Sequence, residues 1–116
     1  MKKYIVITGG AGFVGSNLIN LFLKKTDLKI ISLDNYSTGS KKNHILSKRI
    51  IYLRGHTRNI NIKLKKYKSR INCIFHFGEF SRIFQSFAYF NQCFESNSIG
   101  SKEVFKFCLD NKIKLI

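Results

Sequence analysis

The sequence has no proline, no tryptophan, one methionine, three cysteines and only six acidic residues among 116. Each scarcity excludes something. Cys73, Cys93 and Cys108 are odd in number and never in C-x-x-C spacing. Neither a disulfide framework nor a zinc site is indicated. Each lies in an apolar or helical stretch and is expected to be a buried thiol. His44, His56 and His76 are far apart and lack ligand spacing, so no metal residues are assigned. No apolar run approaches the roughly 20 residues of a membrane helix. The start, Met1 to Gly9, has too short an apolar stretch for a signal peptide and runs into glycines rather than a cleavage site. A cytoplasmic protein without membrane partners is expected. There is no G-x-S-x-G elbow, and no P-loop lysine follows the glycines, which sets aside hydrolase and kinase chemistry.

Against six acids stand 21 lysines and arginines, a net charge of +15. They are spread along the chain, as Lys2-Lys3, Lys24-Lys25, Lys41-Lys42, the Lys63–Lys68 stretch, Lys112 and Lys114. No arginine-aromatic recognition module stands out. The charge therefore reads as a solvated lysine coat, and a nucleic-acid partner is not favoured. A positive field of this size can steer an anionic nucleotide towards its site.

Strand-length apolar runs alternate with helical patterns, the signature of a parallel α/β fold. Strands are expected at Tyr4–Thr8, Leu28–Leu33, Ile50–Leu53 and Ile71–Phe77, with a fifth starting at Ile113–Ile116. The spacing of Val14, Leu18, Leu21 and Phe22 predicts a helix over Phe13–Lys25. Gly100, Val104, Phe107 and Cys108 form one stripe of a helix over Cys93–Leu109, with Asn111 as terminator. A short helix at Asn43–Ser47, a basic surface helix at Asn61–Lys68 and helical turns over Ser81–Asn91 complete the expectation. The fold class is a Rossmann-type three-layer sandwich, sheet order 3-2-1-4, cut at the start of strand five. A single domain spanning residues 1–116 follows, with a bared sheet edge and apolar helix faces that invite self-association or a homodimer.

The chemistry concentrates at Ile7-Thr8-Gly9-Gly10-Ala11-Gly12-Phe13-Val14-Gly15-Ser16, between the first strand and the first helix. Gly10, Gly12 and Gly15 satisfy G-x-G-x-x-G, and Gly9, Gly12 and Gly15 satisfy G-x-x-G-x-x-G. The first glycines allow a tight turn. Gly12 lets a diphosphate approach the backbone, and Gly15 lets helix and strand pack closely. The helix N-terminus offers free N–H groups to the phosphates. Asp34 follows the second strand about 20 residues on, where a carboxylate accepts hydrogen bonds from the ribose hydroxyls of a dinucleotide. It would repel the extra phosphate of NADP, so the cofactor is read as NAD, with NADP second.

Three stretches, Thr8 to Gly15, Leu33-Asp34-Asn35-Tyr36-Ser37-Thr38-Gly39, and Phe75-His76-Phe77-Gly78, resemble the extended short-chain dehydrogenase/reductase superfamily. Within it the chain is similar to NAD-dependent epimerase/dehydratases of the UDP-glucose 4-epimerase type, over nearly its whole length. The resemblance implies that Phe13 and Val14 cover the pyrophosphate with their backbone. It implies that Asp34 and Asn35 hold the adenosine, with Ser37, Thr38 and Gly39 close by. Phe77 and Gly78 would line the nicotinamide-ribose region, and Asn97 matches a helix asparagine that touches the cofactor. The implied activity is epimerisation or dehydration of a nucleotide sugar by hydride transfer to and from NAD.

Three departures qualify it. The family has an acid after the glycine that closes strand three; here Gly55 is followed by His56 and Thr57, which take that place near the adenine. The family has small residues after His76, where this chain has Glu79-Phe80-Ser81-Arg82. The catalytic Tyr-x-x-x-Lys pair of such enzymes is absent, so no catalytic residue is assigned. The alternative reading is a non-catalytic, truncated or split module that only binds dinucleotide.

Overall fold

The computed structural model describes residues 2–116. The first strand, β1 (Tyr4–Thr8), is buried at every position. Its alternate side chains enter two cores. Tyr4 and Val6 pack with Ile31, Leu33, Ile74 and Val104 on one face. Ile5 and Ile7 pack with Ile19, Ile30 and Cys73 on the other. A strand covered on both faces has no polar side to show, which is why it reads as an unbroken apolar run.

The chain then forms α1 (Phe13–Lys25), β2 (Lys29–Asp34) and β3 (Ile50–Arg54). A short helix α2 (Ile60–Lys63) leads to β4 (Ile71–His76). Two short helices, α3 (Ile83–Ala88) and α4 (Phe90–Phe94), run through a π-helical segment at Glu95–Gly100 into α5 (Ser101–Asn111). The two-residue β5 (Lys114–Leu115) comes last. The sheet is parallel, in the order β3-β2-β1-β4-β5. With α1 on one face and α2 and α5 on the other, this is the expected three-layer Rossmann-type sandwich.

Several elements depart from expectation for identifiable reasons. Asp34 is the last residue of β2 rather than the loop residue after it, because its backbone still pairs with Arg54. The expected helix at Asn43–Ser47 is a single 3-10 turn at Lys41–Asn43, capped by the Ser40 hydroxyl. The expected basic surface helix at Asn61–Lys68 is only one turn long, and Ile60, Leu64 and Tyr67 are buried. Asn111 is helical and donates its amide back to Phe107 O; the left-handed terminator is Lys112, at φ 53°. Cys73 and Cys108 are buried, whereas Cys93 is only half-buried. Burial pushes the Cys108 thiol up to about 11 and the Cys73 thiol in the same direction.

Because the strands are parallel, their starts share one edge. Lys2 and Lys3 precede β1, Lys29 opens β2, Lys48 and Arg49 precede β3, and Lys68 and Arg70 precede β4. Lys112 and Lys114 stand at β5, and Lys24 and Lys25 end α1 beside them. Backbone hydrogen bonds tie the edge together: Lys3 N–H to Arg70 O at 2.8 Å, and Lys29 N–H to Lys3 O at 3.0 Å. The Arg49 guanidinium caps α1 by donating to Thr26 O at 2.5 Å and to Leu23 O. Cations there oppose the negative end of the helix dipole. No helix among the described residues is long and apolar enough to cross a membrane.

Candidate dinucleotide site

The opposite edge, where the strands end, carries a cleft of about 420 Å³. At its centre lies the turn from β1 to α1. Gly9 has φ +73°, and a Cβ on it would sit 2.8 Å from the Phe77 carbonyl. A side chain here would be both strained and blocked. A Cβ on Gly15 would come within 2.2 Å of Gly9 O, so helix and turn touch backbone to backbone. Gly12 is different: its nearest neighbour is Gly9 O at 3.4 Å, and the space beside it is open. Gly12 is also the N-cap of α1, and no side chain caps the helix. The first-turn N–H groups have no partner within the helix, and Phe13, Val14 and Gly15 line the cleft. An uncapped N-terminus beside an open glycine fits a diphosphate.

One side of the cleft is built on Asp34. Its Oδ2 accepts the N–H of Ala11 at 3.0 Å, and its Oδ1 accepts that of Tyr36 at 2.8 Å. The same Ala11 accepts at its carbonyl from Ser40 N–H at 3.1 Å and from the Asn43 amide at 2.8 Å. The loop after β2 is thereby folded back over the glycine turn, bringing Asn35, Ser37, Thr38 and Gly39 to the cleft wall. Tyr36, at φ 62°, makes the reversal. Its hydroxyl pairs with His44 Nε2 at 2.7 Å, and His44 stacks on Tyr52 with ring centroids 3.7 Å apart. Burial and the neighbouring Asp34 carboxylate push the Tyr36 phenol up.

The other side is built on the end of β4. Thr8 Oγ1 accepts the Gly78 N–H at 2.9 Å and lies 2.7 Å from His76 Nδ1, while His76 Nε2 lies 2.9 Å from Ser101 Oγ. Burial pushes the His76 imidazole down and so favours its neutral form. Both ring nitrogens are satisfied if Thr8 gives its proton to Nδ1 and Nε2–H donates to Ser101. His76 thus joins β1, β4 and α5.

Thirteen of the fifteen residues expected at the site line this cleft: Gly9, Gly12, Phe13, Val14, Gly15, Asp34, Asn35, Ser37, Thr38, Gly39, Thr57, Phe77 and Gly78. His56 and Asn97 do not. His56 is turned into the protein: Nδ1 accepts from Arg58 N–H at 3.1 Å, and Nε2 faces Ser96 Oγ at 3.4 Å. Burial, then the Arg58 charge, pushes its imidazole down. Asn97 has its amide engaged on both sides of Phe80. It accepts the Phe80 N–H at 2.6 Å and donates to the Phe80 carbonyl at 2.9 Å. With the Phe80 ring buried, this clamp fixes the segment after β4 and leaves Glu79, Ser81 and Arg82 on the cleft wall. Ser81 and Arg82 come from the stretch that departs from the family pattern, whereas Ser96 belongs to no motif and carries no sequence signal. Among the described residues, no cluster of three potential metal ligands exists.

A parallel sheet whose first strand turns through glycines into an uncapped helix, with a carboxylate at the end of the second strand, defines a dinucleotide-binding Rossmann-type protein. The model of the NAD dependent epimerase/dehydratase family matches residues 5–116, and the chain belongs to that family. Over 39 residues it is 49% identical to UDP-glucuronic acid decarboxylase 6 of Arabidopsis thaliana, which is 34% of this chain and 11% of that protein. An epimerase of Methanothermobacter thermautotrophicus superposes with a TM-score of 0.86 at 25% identity, covering 96% of this chain and 33% of that one. The Bordetella bronchiseptica enzyme WbmG, in complex with NAD, gives a TM-score of 0.81 at 25% identity, covering 97% and 36%. The chain therefore spans about a third of the length of these structures.

Proposed function

We propose that this chain is the NAD-binding portion of an enzyme that transforms a nucleotide sugar by hydride transfer to and from the bound cofactor. The observation that carries the reading is the open Gly12 corner under the uncapped start of α1, with Asp34 at the adjoining strand end. The first-turn amides of α1 hold the diphosphate. Asp34 orients the adenosine-side ribose with the acceptor capacity left after its two backbone bonds, and disfavours a 2′-phosphate there. Phe77 and Gly78 flank the second nucleoside at the end of β4, and the Thr8–His76–Ser101 chain holds that end in place. NAD, when bound, supplies the hydride acceptor for a sugar hydroxyl. The family membership, a relative named for UDP-glucuronic acid and a neighbour solved with NAD support this assignment.

A second reading has its own observation: none of the five tyrosines is followed four residues later by lysine. On its own, the chain binds dinucleotide and turns nothing over. Exposed apolar side chains, among them Phe84 and Phe87 on α3, also favour self-association, which sedimentation velocity reads directly. Calorimetric titration tests the assignment. Saturable NAD binding, weaker NADP binding and at least about a tenfold loss in Asp34→Ala are expected, since a buried hydrogen bond to a charged group contributes about 1.5–3 kcal/mol. An absence of NAD binding, or turnover of a nucleotide sugar by this chain alone, would overturn the corresponding reading.

A further inference from the structure

We propose that the edge of the sheet opposite the cleft is a docking face for the phosphate backbone of a nucleic-acid duplex. It stands apart from the cofactor assignment and rests on where the fold puts charge. Along the sequence the basic residues are scattered. In the structure, eleven of the 21 lysines and arginines meet at the starts of the parallel strands or at the adjoining end of α1. Only Asp27 and Asp110 share that edge, and Asp110 already lies 4.0 Å from Lys106. More than half of the chain's net charge of +15 is thus gathered on one side.

The spacing suits a polyanion. Five strands at about 4.8 Å set a rigid basic band about 19 Å long. That length of duplex carries about eleven phosphate charges, at roughly one per 1.7 Å. The lysines of this edge are exposed, whereas the aromatic rings beneath it are buried. Tyr4 and Tyr67 pack edge to face in the core, with Arg70 over the first and Lys66 over the second. Exposed aromatic rings lie at the cleft mouth and along α3 to α5 instead. Without rings for base stacking, the expected recognition is of backbone phosphates, insensitive to sequence. An anionic lipid surface offers similar charge, but stable membrane attachment calls for a second, apolar signal. A nucleic-acid backbone requires charge alone. Crowding of like charge on one edge also strains the folded chain, and a bound polyanion relieves it.

The test uses the 116-residue chain and a fluorescent 20-base-pair DNA duplex, titrated at several salt concentrations. One variant carries Lys3→Gln, Lys29→Gln, Lys68→Gln and Lys114→Gln, one exposed lysine from the region of each of four strand starts. A matched control carries Lys41→Gln, Lys42→Gln, Lys63→Gln and Lys102→Gln, which lose the same charge elsewhere. The native chain should bind with a steep salt dependence and gain thermal stability from the duplex. The edge variant should lose about three to four units of the log–log salt slope and about a hundredfold in affinity at low salt, while the control stays within about threefold. Excess NAD should displace nothing. Four results would overturn the proposal: no salt-dependent binding, equal loss in both variants, displacement by NAD, or preference for phosphatidylserine vesicles over the duplex.

Discussion

Asp34 Oδ2 accepts the backbone N–H of Ala11 at 3.0 Å, so the carboxylate at the end of β2 is bonded into the glycine turn itself. With a second bond from Tyr36 N–H at 2.8 Å, Asp34 holds the loop after β2 against that turn. Its substitution therefore acts twice. Asp34→Ala should lower unfolding free energy by about 2–4 kcal/mol in urea titrations without any ligand, because two backbone donors lose a charged acceptor. Asp34→Asn keeps one good acceptor and should fall between. A residue that served only the ribose would leave apo stability untouched.

Gly10 and Ser32 form the tightest steric pair in the turn. A Cβ on Gly10 would lie 2.0 Å from Ser32 Oγ and 2.8 Å from its Cβ. Gly10→Ala should cost about 3 kcal/mol through overpacking. Ser32 Oγ is itself buried with no hydrogen-bond partner among the described residues. Ser32→Ala should therefore stabilise the chain, by about 1 kcal/mol. The two changes should also couple: the double variant should be at least about 1 kcal/mol better than the sum of the singles. Strict additivity in denaturant midpoints would contradict the contact.

Asn97 supports the loop after β4 through Phe80. Asn97→Ala removes two side-chain bonds to one backbone unit and should cost about 2 kcal/mol of stability in the absence of cofactor. NAD affinity should fall with it, as Glu79, Ser81 and Arg82 lose their fixed placement. Unchanged stability with lost NAD affinity would instead make Asn97 a direct ligand.

The parts legible in the sequence are those that depend on local pattern. The apolar runs of β1 and β4 gave the strands, and the glycine spacing gave the turn. The apolar residue after every third or fourth position gave α1. What stayed hidden depends on contacts between distant segments. The Asn97 amide meets Phe80, seventeen residues earlier, and no local pattern marks that pair. His56 meets Ser96, forty residues later, which its own sequence neighbourhood does not announce. Most of all, charge looked dispersed because the strand starts are far apart in sequence. Parallel topology brings them side by side, and no periodicity in the chain announces that.

His76 gives the fold a pH dependence of definite sign. Burial lowers its folded pKa below the ordinary value of 6.5. As pH falls below about 6.5, the unfolded chain takes up the proton first, so stability decreases on acidification. The contribution is complete above that pH and is lost as pH falls through the folded pKa. Protonation would also put an N–H at Nδ1, so the Thr8 hydroxyl would have to turn its own proton away and accept from the ring. His56 is shifted in the same direction, so the midpoint alone cannot assign the effect. His76→Gln can, because an amide accepts and donates without titrating. Melting temperature in the native chain should drop between pH 7 and pH 5, and by less in His76→Gln. Equal drops in the two chains would remove His76 from the account.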